Sequence, residues 1–536
     1  MNAGAPKSPM NCSFPNFGKI VKFAFDATGL LPRKRGDCDG LSEQEKKRIQ
    51  KQLERLIDEE GALQERCGEL IQSLAYISAG TINHPKVNLA IGDVAIDLFE
   101  VYHLVIRSDG TYLSEMENIR WFCRSYAIQR LGLSIQKHLL RYNLAKEGLE
   151  TPVDTDWYLP TMAEGTTVWP LEKAIRWIYQ VCETNQTRFH FPEKDAKVAI
   201  VRCSEQQQNL ENAADWLNGK RVPSWPALHW NFSTSLERLG TVADPRFRRE
   251  VPSERRESMM VVLFLARVAT YVCKAISEAF GQAFLAQLID QFQQQRAWLI
   301  SDLEPFNKNI KSYLSKIHTT ADICDEVWWV ESEQYWSWFT NRSIAISKEL
   351  NRLLSQNNYA TLSEGTVSAL VAKHGDYSVR TILEQIKAHS EFIMPEGFPQ
   401  AVLEGIDLKS RQSLKDGDID RYVDAITHRG LTHCLPWMEP WLRACIRYRC
   451  QDYESAFGYM ELAFEQAKYC AGNRQYELVN QFIELAAKTD RWKCFKKGVD
   501  WAHYLGLSVR WLRDREPTVE NLRDTFEIMK TMQYRM

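Results

Sequence analysis

The chain has no excess of charge of either sign: 67 Lys and Arg stand against 69 Asp and Glu, a formal net charge of −2. A protein that coats nucleic acid over a wide surface needs a basic excess, so this balance counts against that class while leaving room for a local basic patch. No CxxC pair occurs, and the 13 cysteines are an odd number scattered from Cys12 to Cys494. That excludes a disulfide framework and suits reduced thiols buried as small hydrophobes in a cytosolic protein. The low hydrophobicity with high net charge that marks extensive disorder is absent too. The strongest apolar run, Met259–Val268 continuing to Val272, is short for a bilayer span and contains Arg267. It reads as a core helix, with the guanidinium of Arg267 expected to reach the surface past its own stem. The opening MNAGAPKSPMNCSFPNFGKIVKF is broken by Pro, Asn and Lys, so no signal peptide is expected. Together these readings imply a soluble, cytoplasmic chain with no membrane partner.

The common catalytic signatures are missing as well. No GxxxxGK[ST] cradles phosphate, no GxGxxG opens a dinucleotide site, and neither HExxH nor GxSxG occurs. This lowers the expectation of an enzyme, although a nucleophile and base brought together only by folding escape such a search. No cofactor is expected.

What is present is length, helical periodicity and aromatic side chains. At 536 residues the chain exceeds one compact core, and it carries 17 Trp, 20 Tyr and 23 Phe, which suit interlocking helices and interfaces. The expected fold is mainly α, a multi-domain helical protein with minor β content around 190–205, where Ala196–Cys203 is β-branched. Five regions are expected: an irregular arm over 1–40, a helical domain over 41–150, a Trp- and Pro-rich mixed region over 151–257, a helical domain over 258–400, and a helical-repeat region over 401–536. In the second, Ser42 with Glu45 has the spacing of a capping box and Gly61 a possible helix break.

The most specific pattern lies near the C-terminus. Asp452, Tyr453, Ala456, Met460, Ala463 and Phe464 have the spacing of a helical hairpin, preceded by a helix carrying Trp441, Leu442 and Tyr448. Thirty-four residues back, Ile419 stands in register with Tyr453; 39 residues on, Trp492 aligns with Tyr453 and Ala502 with Ala463. This resembles a tetratricopeptide repeat over about 405–515. The leucine and glycine of that family's first helix are here Arg443 and Ala444, and its closing proline is missing. The resemblance implies stacked hairpins with a concave protein-binding surface, and makes Trp441, Tyr448, Tyr453, Tyr459 and Trp492 structural or interface aromatics.

Candidate chemistry is sparse. Asp93, Asp97, Glu100 and His103 share one stripe of a helix, as metal or general-acid work would require, but the wet face of an amphipathic helix has the same pattern. Arg246, Arg248, Arg249, Arg255 and Arg256 could grip phosphates, yet Asp244, Glu250, Glu254 and Glu257 interleave, so a self-paired loop is expected. Residues 367–389 loosely match a helix-turn-helix. His428, His433, Cys434, Cys445 and Cys450 include zinc-ligand types without a second tight pair, so buried repeat cysteines are expected and no metal.

The resulting expectation is a non-enzymatic scaffold or adaptor that binds protein partners within a multi-component assembly. The alternatives are a metal-dependent nuclease or toxin-like effector, and a nucleic-acid-binding component. In overall character the chain also resembles accessory components of bacterial antiphage systems such as Druantia or Zorya, which implies antiviral defence beside a separate helicase or nuclease.

Overall fold

In a computed structural model, residues 12–31, 42–128, 148–192, 204–316, 362–374 and 394–532 are described, apart from 60, 62, 83, 109, 164–165 and 513–514, together with single positions between 130 and 135 and between 320 and 353. The fold is mainly α with a minor β element.

The region expected to be an irregular arm over 1–40 contains a helix, α1 (Phe17–Thr28). Phe17, Val21 and Phe25 recur every fourth residue and are buried, Asn16 caps the start by accepting from the Lys19 N–H, and Gly29 ends the helix in the left-handed region at φ 65°. The neighbouring prolines hid this pattern. Next come α2 (Glu43–Ile57), opened by the Ser42–Glu45 capping box, and α3 (Leu63–Thr81), separated by a turn in which Gly61 has φ 75°. Gly18 lies where a Cβ would stand 2.5 Å from the backbone of Ile57, so α1 and α2 cross with their main chains nearly touching. Helices α4 (Pro85–Ser108) and α5 (Glu115–Phe122) complete this part, α5 running into a π-helical turn at Cys123–Ala127.

The central part holds the observed β element, an antiparallel pair of β1 (Thr161–Ala163) and β2 (Thr166–Val168) with Met162 opposite Thr167; Ala196–Cys203 lies outside the described residues. Around it are α6 (Pro170–Val181), α7 (Gln186–His190), α8 (Ser204–Leu217), α9 (Trp225–Thr241), α10 (Ser253–Phe280) and α11 (Gln282–Leu314). Among the described residues α10 alone is long and apolar enough to cross a membrane. Its Met259, Val261, Val262, Leu263, Phe264 and Ala266 are buried in a core shared with α6 and α9, so it is a core helix here.

After α12 (Glu364–His374) come three helical hairpins: α13 (Phe398–Ser410) with α14 (Asp416–His428), α15 (Met438–Arg449) with α16 (Tyr453–Ala467), and α17 (Gln475–Lys488) with α18 (Trp492–Tyr504). A last helix, α19 (Val519–Thr531), packs on α17 and α18. Tyr453 and Trp492 each open their helix, and Ala463 and Ala502 are fully buried at the same position of it. The register expected for Ile419 does not hold. The second helices begin at Asp416, Tyr453 and Trp492, spacings of 37 and 39 residues, so Ile419 matches Ala456 and Phe495 rather than Tyr453. All three are fully buried, because that fourth position is the one facing the helix crossing.

The hydrophobic cores do not follow the order of the chain. One core joins residues between Cys12 and Tyr126 to residues between Ala401 and Met529. Phe17 is at its centre: its ring lies 4.5 Å from His103 and 5.6 Å from Tyr102 of α4, 5.9 Å from Tyr469, and 4.4 Å from Tyr504 of α18. Backbone bonds reinforce the join, with Phe14 donating to the Tyr469 carbonyl at 2.9 Å and Thr111 to the Cys470 carbonyl at 3.0 Å. The second core spans Leu30 to Ala266.

Arg267 is where the two meet, and it does not reach the surface as expected. The side chain is 3% exposed. Its guanidinium donates to the Pro223 carbonyl at 2.8 Å, to the Asp26 carbonyl at 3.2 Å and to the Ala27 carbonyl. The last two belong to the C-terminal turn of α1, where the carbonyls that point out of the helix and the helix dipole favour a cation. Burial pulls its pKa down to about 10, so it stays charged at neutral pH. A Cβ on Gly29 would stand 2.2 Å from the guanidinium carbon, so glycine is required there by space as well as by φ. Arg267→Met, which leaves these buried carbonyls without a donor, is expected to lower stability by about 3 kcal/mol. Urea unfolding monitored by circular dichroism checks this; a loss below about 0.5 kcal/mol would show the cap to be dispensable.

Candidate functional site

The stripe on α4 does not form a site. Among the described residues, the ligand atoms of Asp93, Asp97, Glu100 and His103 do not converge. Asp97 accepts a 2.8 Å hydrogen bond from Ser134, buried Arg130 interacts with both Asp97 and Glu100, and Glu100 is exposed. His103 is packed among rings, 4.5 Å from Phe99 and 4.8 Å from Tyr504. Burial pulls its pKa down to about 4, which keeps it neutral at pH 7. It serves as an aromatic filler beside Phe17.

The arginines of the loop between α9 and α10 and of the first turn of α10 are paired within the fold. Arg246 meets Asp244 at 2.6 Å and Arg255 meets Glu150 at 2.9 Å. Arg248 and Arg256 each donate to a backbone carbonyl at 2.8 Å, of Val242 and Val251. Arg249 donates to the Arg248 carbonyl at 2.8 Å and faces Glu183 at 3.8 Å. The open groove beside them is lined by Glu237 and Glu250 as well as Arg256, a mixed field with little pull on a phosphate. Of the helix-turn-helix candidate, only residues 367–374, within α12, are described; residues 375–389 lie outside the described residues.

The hairpin aromatics divide into two groups. Trp441 and Tyr448 are buried between α15 and α17, where α17 presents polar groups at helical spacing. Trp441 donates to Gln481 at 2.6 Å, Tyr448 donates to Glu484, and Lys409 of α13 pairs with Glu477. Both rings are closed off inside the hairpin stack. Tyr453, Tyr459 and Trp492 are half-buried. Lys488 lies 5.3 Å from the Tyr453 ring, and Trp492 meets Phe526 of α19 edge-on at 5.1 Å.

Two constellations that the sequence reading did not single out emerge from folding. In the second core, His190 makes a 2.8 Å contact with Ser235 and a 3.2 Å contact with Tyr179. All three are buried and Phe189 and Phe232 enclose the imidazole, whose pKa burial pulls down to about 3. A substrate has no access, so this is a satisfied core histidine. The second joins Cys12 to His433 and Cys434, with one ligand atom from each lying within 4.8 Å of the others. Cys12 donates to Cys434 at 3.8 Å, which raises the Cys12 pKa and lowers that of Cys434. The other thiols and imidazole considered from sequence lie apart: Cys445 is fully buried, Cys450 is exposed, and His428 bonds the Asp424 carbonyl at 2.8 Å. Only the adjacency of His433 and Cys434 hinted at the cluster, because its third member is 422 residues away.

Glu484 generates a test of the polar ladder. Burial raises its pKa from 4.5 to about 7, and one of its oxygens has no partner. The folded state therefore holds this proton more tightly than the unfolded state. The associated stability is full below about 4.5 and is lost as pH rises through about 7, up to about 3 kcal/mol. Glu484→Gln is expected to remove this dependence, read as a wild-type-minus-variant difference in urea midpoint that changes between about pH 5 and about pH 8. A constant difference would show that Glu484 does not titrate in this window. Compared with protein families, curated proteins and solved structures, the chain matches none of them.

Proposed function

We propose that the chain is a cytoplasmic, non-enzymatic scaffold that binds protein partners through its C-terminal hairpins within a multi-component assembly. The supporting observation is the succession of three hairpins packed in chain order, α13 with α14, α15 with α16, and α17 with α18. Tetratricopeptide-like repeats build an extended binding surface in this way. On the outside of α16, Ser455, Gly458 and Leu462 are exposed at helical spacing beside half-buried Tyr459. A small-and-apolar stripe of this kind accepts a partner helix or an extended peptide, and the acidic groups that flank it, Glu454 and Glu465, are already paired with Arg491 and Lys497. The resemblance to antiphage accessory components suggests the setting, an antiviral assembly whose chemistry resides in another subunit.

The test is affinity purification of the full chain from native cells, compared with Leu462→Glu and Tyr459→Ala. Deleting the hairpins is unsuitable, because they share a core with α1 and α4. A stoichiometric protein partner depleted at least about tenfold by these substitutions, a cost of about 1.4 kcal/mol, is the expected result. Recovery of nucleic acid alone, or of a partner that both variants retain in full, would sink the proposal.

A further inference from the structure

The cluster of Cys12, His433 and Cys434 has the dimensions of a metal site. A tetrahedral zinc ion with Zn–S of about 2.3 Å and Zn–N of about 2.0–2.1 Å holds two thiolates about 3.8 Å apart and a thiolate about 3.6 Å from an imidazole nitrogen. Here the two sulfurs are 3.8 Å apart, and Cys434 Sγ is 3.4 Å from His433 Nε2. Among the described residues, this is the one group of three or more His, Cys, Asp or Glu side chains whose ligand atoms converge.

The backbone holds each ligand in place. Cys12 forms a β-bridge with Ser114, and its sulfur lies 3.1 Å from the Tyr112 carbonyl. His433 and Cys434 sit on a tight 3₁₀ turn, Thr432–Cys434, closed by the Cys434 N–H on the Leu431 carbonyl at 2.9 Å. The two sulfurs are buried while His433 is exposed, so one side of the cluster opens to solvent. Cys470 is close by, but its thiol is turned to the Gln466 carbonyl of the preceding helix, α16, at 2.9 Å. Two thiolates and an imidazole form a soft donor set that suits zinc and not magnesium or calcium.

We infer that Cys12, His433 and Cys434 bind one zinc ion, with solvent in the fourth position, and that this ion staples the N-terminal segment to the hairpin stack. Binding releases the thiol protons to solvent. Because Cys12 is separated from its partners by most of the chain, the ion closes a very long loop, and occupancy sets how firmly the first residues of the core are held.

The experiment uses the full-length chain purified under reducing conditions without chelator, with zinc measured by elemental analysis and cobalt as the optical probe. The wild type is expected to carry about one zinc per chain, and the metal-depleted protein to give thiolate-to-cobalt charge transfer with tetrahedral d–d absorption. His433→Ala, an exposed position whose change leaves the core intact, and Cys434→Ser are each expected to lose most of the zinc, whereas Cys450→Ser keeps it. A chelator is expected to lower the melting temperature of the wild type and leave that of Cys434→Ser unchanged. The inference is overturned if reduced wild type retains no zinc and gives no tetrahedral cobalt spectrum. Full zinc content in both His433→Ala and Cys434→Ser also overturns it, as does a Cys12–Cys434 disulfide in the isolated protein.

Discussion

The end of α1 is where two hydrophobic cores meet, and the contact there is a buried cation on carbonyl oxygens. Arg267 comes from the long core helix α10 of the second core and reaches the last turn of a helix whose aromatic face fills the first. Apolar packing alone would let these layers slide, since dispersion and burial have little directionality. A guanidinium fixed by several acceptors does not slide, and removing it from water is offset only where all its acceptors are in place. The geometry of Gly29, the caps of α1 and the approach of Pro223 are thus coupled to one side chain. The position of Phe17 follows from them, and around Phe17 the rings of α4 and α18 are arranged.

A similar logic operates inside the hairpin stack. Glu477, Gln481 and Glu484 place acceptors along the face of α17 that α15 covers, and each is matched by a specific donor. Alanines at the helix crossings let the backbones approach, but small residues by themselves tolerate more than one register. The polar ladder selects one, because a shift of one turn would leave Trp441 and Tyr448 opposite the wrong groups in a dry interface.

Much of this was legible in the sequence wherever the determinant is local. The Ser42 cap, the break at Gly61, the helical nature of Met259–Val268 and the hairpin around Asp452 each rest on residues within a turn or two of one another. Helix α1 was missed because its short apolar repeat is flanked by prolines and reads as too brief to stand alone; its stability comes from partners about 40 to 490 residues away. Arg267 was read as snorkelling because a sequence does not show which carbonyls lie within reach. Ile419 was aligned by residue type, whereas helix starts, set by caps and turns, define the true register. Of the Cys12 cluster, a linear pattern shows only the adjacency of His433 and Cys434. The misses at α1, Arg267 and Cys12 share long-range closure of the chain.

That closure constrains how the molecule is made. Phe17 leaves the ribosome about 450 to 490 residues ahead of Tyr469, Trp501 and Tyr504, three of the rings that enclose it. At roughly 5–20 residues per second, translation needs on the order of half a minute or more to supply them. Throughout that interval the apolar face of α1 and the rings of α4 have only each other and α2 and α3 as native cover, so the nascent chain passes through a stage in which part of a core is exposed to water. The central layer around α10 contains its own partners and can close during that time, making it the natural first unit to fold. Its Arg267 would then stand ready to receive the end of α1 before the hairpins arrive to seal the rest.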